Sequence, residues 1–291
     1  MLDPLYYAVS TLMRLWHQLF AAALGPASGA AWALSVVFLV LTVRALMIRL
    51  FLAQVRSGRA MAAIAPQLAA LRERHRGDPA RLLAETRALQ ARHGVSTGGA
   101  LLPALLQAPV FLALLHVLTS FNRPGLGFGQ NTAIANYAFG PAEVRSFLQA
   151  RLFGSPLSAY LSMPQDLLDS FGAPVERLDV VLVAVPVLLL SALATHLTSR
   201  AALRRQPPTG PMATAFRAMP WVLPLGVLAG GLLLPFPVAI GLYWLTSNAW
   251  TLVQQHLAHR GLDRATPPPA PRAPVAPPRP GAKPVRRGPG R

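Results

Sequence analysis

The stretch AWALSVVFLVLTVRALMIRLFL, Ala31 to Leu52, narrows most sharply what this chain can become. About 20 apolar residues, rising roughly 1.5 Å each in a helix, cover the hydrocarbon core of a bilayer. The stretch therefore predicts a membrane-spanning helix. Arg44 interrupts it. A guanidinium keeps its charge at any accessible pH, and at mid-membrane it costs about 3 kcal/mol on insertion scales. Two outcomes follow. The side chain snorkels toward the head groups, or it faces a wet, functional interior. The rest of the chain decides between them.

Of the 291 residues, 53% are hydrophobic and 13% charged. Soluble domains carry about 25% charged residues, so most of this chain is built for lipid. The net charge of +17 is almost entirely arginine, the one lysine being Lys283. In such a chain the excess reads as topological and not as a DNA-binding surface. The absence of cysteine excludes disulfides, thiolate metal sites and thiol catalysis. Residues 1–29 lack a basic n-region and are not expected to be a cleaved signal. Tyr6, Tyr7, Trp16 and Phe20 give the 3–20 stretch the character of a helix lying at the membrane interface.

The expected fold class is an all-α polytopic membrane protein with five transmembrane helices. The first span occupies 30–53. Residues 54–99 turn polar and basic, with Met61, Ile64, Leu68 and Leu71 at helical spacing and a break at Gly77–Pro79. They predict a helical hairpin with an arginine-rich surface. A second span covers 100–120 despite Pro103 and Pro109, which membrane helices tolerate. A long Gly- and Pro-punctuated connection fills 121–179, with an amphipathic piece near Glu143–Phe153. Residues 180–262 hold three spans, near Val180–Leu197, Ala218–Leu234 and Val238–Leu257, the last two turning at Pro235-Phe236-Pro237. The Pro/Arg-rich tail, 263–291, cannot bury a core and is expected to be disordered.

Loop charges set the orientation. Of the 27 Lys and Arg residues, 21 fall in 49–99, 198–218 and 258–291. Only five fall in 1–29 and 121–179. The positive-inside rule then predicts an outer N-terminus and a cytoplasmic C-terminus. Polar residues within spans are the candidate site. Trp244, Ser247, Asn248, Thr251 and Gln255 share one face of the last helix. Ser191, Thr195 and Ser199 make a weaker stripe on the third span, and Gln107 lies in the second. Such residues either glue helices together or line a wet cavity. Ser35, Thr42 and Arg49 lie opposite Arg44, so the first helix has no single polar stripe.

Enzyme signatures are missing. There is no GxSxG, HExxH or phosphate-binding loop, and none of the ten acids lies within a span. His116 and His196 stand alone and read as packing residues. The motif GLGFG (Gly125–Gly129) has the composition of a potassium filter but directly follows a membrane helix and opens a long loop.

Four segments, in order, resemble the YidC family of membrane protein insertases: LTVRALMIRL (Leu41–Leu50), the basic hairpin ending near GVSTGG, LLPALLQAPVFLALLHVL (Leu101–Leu118) and AIGLYWLTSNAWTLVQQHLAHRGL (Ala239–Leu262). The likeness covers roughly 30–120 and 178–262. NYAFGPAEVRSFLQARLFG and SFNRPG are similar to actinobacterial members, which lack a large periplasmic domain. The resemblance implies five core helices around a hydrophilic groove that opens to the cytoplasm and to lipid and is closed on the outside. It places the family's groove arginine at Arg44 and its groove aromatic at Trp244, and it puts Val40 where some relatives have a polar residue. It implies no cofactor. The implied partners are nascent membrane-protein clients, the ribosome through basic cytoplasmic segments, the Sec translocon and the lipid bilayer.

That role suits Arg44. A groove partway through the membrane shortens the dry path for a polar segment, and a buried cation attracts passing acids. One such pair at about 4 Å and an effective dielectric near 20 gains roughly 4 kcal/mol before desolvation. A small-solute transporter or channel is the alternative, but it would usually show internal repeats, which are absent from this sequence.

Overall fold

The computed structural model describes residues 2–94, 102–205 and 213–265. The end of the GVSTGG segment and the tail beyond Ala265 lie outside the described residues. Helices dominate: α1 (Asp3–Leu24), α2 (Gly29–Leu46), α3 (Ile48–Arg74), α4 (Pro79–Arg92), α5 (Leu102–Thr119), α6 (Phe128–Ala133), α7 (Pro141–Gln149), α8 (Gln165–Asp169), α9 (Arg177–Arg205), α10 (Ala213–Leu233) and α11 (Val238–Ala265). A two-stranded hairpin, β1 (Arg151–Leu152) and β2 (Ser155–Pro156), follows α7. Three described helices are long and apolar enough to cross a membrane, over Gly29–Leu46, Arg177–Arg204 and Ala213–Leu233, and Gln107–Thr119 is a shorter apolar stretch.

The first apolar stretch is not one helix to Leu52. It leaves helical geometry at Met47 (φ −85°, ψ 0°), and residues 48–53 open the arm of the basic hairpin. No glycine or proline marks this bend. The helical hydrogen bonds Met47 N–H to Val43 and Phe51 N–H to Met47 continue through it. Further on, Asp78 stops the hairpin turn by accepting from Arg81 N–H at 2.9 Å, which satisfies an otherwise orphaned donor of α4.

The first helix runs one turn past residue 20, to Leu24, and packs on α2 and α5. Its aromatic residues meet protein neighbours. Trp16 and Phe20 pack on Phe38 of α2, and Tyr6 stacks on His116 of α5 at 4.3 Å. Thr42 of α2 accepts from the Trp16 indole at 3.1 Å. The polar residues opposite Arg44 thus include one that faces α1, which explains why α2 has no single polar stripe.

Residues 121–179 form a folded cap. Trp32 of α2 is fully buried at its centre, ringed by Phe121, Phe139 and Phe147 at 5.0–6.0 Å and stacked on His17 at 3.5 Å. The Trp32 indole donates to Ser146 of α7 at 3.0 Å. Burial pushes the His17 pKa below its ordinary value, against weaker opposing effects of the Pro26 carbonyl and Glu143. The Arg14–Glu143 pair at 2.6 Å ties α1 to α7. The amphipathic piece ends as helix at Gln149; the hairpin takes over before Phe153. Gly127 caps α6 at its N-terminus and Phe128 opens that helix. The GLGFG segment is therefore a helix entry in the cap and not a filter.

The cap also reaches the last helix. Val238 N–H donates to Ala159 O at 2.8 Å and Ala239 N–H to Leu157 O at 2.9 Å. Two of the free donors at the N-terminus of α11 are thereby satisfied by cap carbonyls, where lipid would supply none. On the other side of α11, Gly241 abuts Val187 of α9, and Gly231 of α10 abuts Leu188. Side-chain-free positions let these helices approach closely. In α10, Pro224 has no N–H for the Pro220 carbonyl. His196 of α9 donates Nδ1–H to that carbonyl at 2.7 Å, so this histidine repairs a helix from outside it.

Candidate functional site: a buried arginine among three helices

Arg44 stands in the last turn of α2, half-buried, and its guanidinium Nη2 donates to the Ser247 hydroxyl of α11. Its Nε is buried and has no hydrogen-bond partner among the described residues. One turn before Ser247, the buried Tyr243 accepts from the Gln107 amide of α5 at 2.5 Å. The Gln107 carbonyl oxygen is likewise buried and without a partner among the described residues. Four polar side chains from α2, α5 and α11 therefore gather in an otherwise apolar region. Ion pairs among the described residues lie elsewhere: Arg14 of α1 with Glu143 of the cap, and His75, Arg76 and Arg81 with Glu73 and Glu85 in the basic hairpin. None supplies a carboxylate to Arg44.

The polar face expected on the last helix divides. Each residue turns the helix by about 100°, so neighbours in sequence meet different helices. Ser247 goes to Arg44. Asn248 donates to Thr195 of α9 at 3.0 Å, and Ser191 donates to the Gly241 carbonyl at 3.4 Å. The third-span stripe and part of the last-helix stripe thus bind each other as interhelical hydrogen bonds. Thr251 donates to the Ser247 carbonyl at 2.8 Å, within its own helix.

Trp244 does not join the Arg44 group. Its ring lies at 6.1 Å from Phe111 and 5.4 Å from Phe236, and it lines a small apolar pocket with Leu188, Gly231 and Gly241. The aromatic residue beside Arg44 is its neighbour Tyr243. Sequence reasoning passed Tyr243 over because it falls at the edge of the polar stripe. Its spacing of four from Ser247 carried the signal. Val40, one turn before Arg44, is buried in the apolar core.

Beyond Arg44 an apolar cavity of about 470 Å³ opens between the start of α3 and the end of α11, lined by Ile48, Leu52, Trp250, Val253, Gln254 and Leu257 among others. The Trp250 indole donates to the Gln254 side-chain oxygen at 2.9 Å, which satisfies the one donor of the indole. Among the described residues there is no group of three or more His, Asp or Glu that could hold a metal ion. The arrangement offers a fixed positive charge whose buried Nε–H is unmet among the described residues, beside apolar surface. It can attract an anionic group. It carries no nucleophile paired with a base.

The pattern of the family described as 60Kd inner membrane protein matches residues 23–265. The membrane protein insertase YidC of Mycolicibacterium paratuberculosis is 44% identical over 267 residues, covering 88% of this chain and 74% of the relative. That of Mycobacterium tuberculosis is 43% identical, with 88% and 72% covered. That of Corynebacterium efficiens is 36% identical over 281 residues, with 92% and 70% covered. The family pattern over residues 23–265 and these relatives mean that the chain belongs to the YidC family of membrane protein insertases.

Proposed function

We propose that this multi-pass protein of the bacterial inner membrane inserts membrane proteins, and that Arg44 draws acidic residues of the translocated segment into a groove between α2, α5 and α11. The observation that supports this best is the state of Arg44, which is held by a neutral hydroxyl with its Nε unmet. A passing carboxylate would give the charged donor a charged acceptor, a stronger partner than the neutral Ser247 hydroxyl. The neutral partner keeps the guanidinium in place between clients without cancelling its charge. Gln107, Tyr243 and Ser247 shape the groove, the 121–179 cap closes its outer end, and the apolar cavity beyond Arg44 accepts the flanking apolar segment. Five spans, with the N-terminus outside and the C-terminus in the cytoplasm, accompany this reading. The basic hairpin and tail contact the ribosome, and the Sec translocon works beside the protein for some clients.

The test is protease protection of clients whose translocated segment carries zero, one or two acids. Arg44→Lys retains most insertion, since charge matters more than the planar fork. Arg44→Ala impairs the acidic clients and spares the neutral one, and Arg44→Glu is worse. Equal losses for all three clients at unchanged protein levels would show that Arg44 is a structural anchor.

A further inference from the structure

The hairpin β1–β2 turns through Phe153 and Gly154, with Leu152 opposite Ser155. Both turn residues have positive φ, 50° at Phe153 and 88° at Gly154. A two-residue hairpin loop of this kind favours Asn-Gly or Asp-Gly, and a bulky residue in the left-handed region is strained. Phe153 gains nothing from the protein core in return, being 85% exposed. An aromatic ring held in a strained conformation and turned away from every protein neighbour requires another environment.

The position of the hairpin indicates which one. Gly29, the first residue of α2, lies so close to β1 that an added Cβ would come within 2.0 Å of the Arg151 carbonyl oxygen. Gly154 sits against Asp179 in the first turn of α9, where an added Cβ would lie 2.9 Å from its carboxyl carbon. The hairpin is thus wedged, by its base and its tip, between the starts of two helices apolar enough to span a membrane. Leu178 and Leu182, flanking Asp179, are each 60% exposed. The hairpin is also rigid at its base. Arg151 donates to the Leu148 and Ala150 carbonyls, and its guanidinium lies 5.6 Å from the centre of the Phe171 ring.

We infer that Phe153 is a lipid anchor: the β1–β2 tip inserts its ring into the interfacial layer of the outer leaflet and fixes the cap to the bilayer surface. Aromatic rings favour this layer, and the fixed hairpin removes the ordering cost that a flexible loop would meet on insertion. The inference rests on the reading of α2 and α9 as membrane spans. It is independent of any role for Arg44.

The chain has no cysteine, so single cysteines at Phe153, Leu189 and Gly77 can carry an NBD fluorophore in the full-length protein. The protein is reconstituted into phosphatidylethanolamine/phosphatidylglycerol vesicles with nitroxide on the upper acyl chain of some lipids. Leu189, exposed within α9, is the lipid control, and Gly77, open at the tip of the basic hairpin, is the aqueous control. Phe153→Cys should be quenched by the lipid nitroxide and show a several-fold smaller iodide quenching than Gly77→Cys. Iodide quenching at Phe153 equal to that at Gly77, with Leu189 shielded, overturns the anchor and leaves the spans intact. Aqueous behaviour at Leu189 as well overturns both. Shielding at Phe153 that vanishes on diluting the protein among the vesicles identifies a second copy as the neighbour and overturns a lipid contact. Phe153→Asn gives an independent check. Asparagine relieves the turn, so its melting midpoint in detergent should equal or exceed that of the parent; a lower midpoint means that the ring packs on protein.

Discussion

Arg44 and Ser247, 203 positions apart in sequence, meet through a hydrogen bond from a charged donor to a neutral hydroxyl. A hydrogen bond to a charged group contributes about 1.5–3 kcal/mol. Ser247→Ala removes it without removing the charge. The expected outcome is a lower melting midpoint in detergent while preference for acidic clients persists. Loss of that preference to the same degree as in Arg44→Ala would mean that geometry, not charge, is what Ser247 protects.

Gln107 and Tyr243 are coupled. Tyr243→Phe leaves the Gln107 amide with neither end bonded, since its oxygen already lacks a partner among the described residues. An unsatisfied buried polar group costs about 1–3 kcal/mol. Gln107→Leu combined with Tyr243→Phe removes the mismatch and should recover much of the loss. A double-mutant cycle on thermal unfolding measures this, and simple additivity would show that the pair does not interact.

Gly29→Ala should damage the cap. Its methyl group would lie 2.0 Å from the Arg151 carbonyl oxygen, a backbone atom of β1. Overpacking of this kind costs about 1–3 kcal/mol and occasionally more. Limited proteolysis within 121–179 should accelerate in the variant. Unchanged cleavage would place α2 and the hairpin farther apart than they are here.

His17 makes the cap sensitive to acid. Its native pKa is depressed by burial, so between about pH 6.5, the usual imidazole value, and its lower native value the unfolded chain binds more protons than the folded one. The stabilising effect of neutral His17 is complete above pH 6.5 and is lost as the pH falls toward the native value. Melting followed by tryptophan fluorescence should show a midpoint that drops across this window. His17→Gln, which does not titrate, should flatten the slope. A slope unchanged by the substitution would assign the acid sensitivity to another group.

Several features were legible in the sequence because they depend on local composition. Apolar runs identified helices around Ala31, Leu101, Val180, Ala218 and Val238, and Arg44 stood out because a guanidinium inside such a run demands a reason. The family segments were readable for the same cause, being contiguous. The bend at Met47 was invisible, since neither glycine nor proline accompanies it and helical hydrogen bonds run through it.

What pairs with what was decided by the tertiary structure. Helical periodicity placed Ser247 and Asn248 on one face, but α11 lies between α2 and α9, so one hydroxyl meets Arg44 while the adjacent amide meets Thr195. For the same reason Tyr243, and not Trp244, stands beside the arginine. The cap was legible only as a long connection, because its order comes from distant partners: Trp32 enters its core, and the Leu157 and Ala159 carbonyls satisfy the start of α11. A sequence states the angle of each side chain about its own helix axis. Only packing sets which neighbour waits at that angle, and in a bundle of apolar helices the few hydrogen-bonding groups take their meaning from that neighbour.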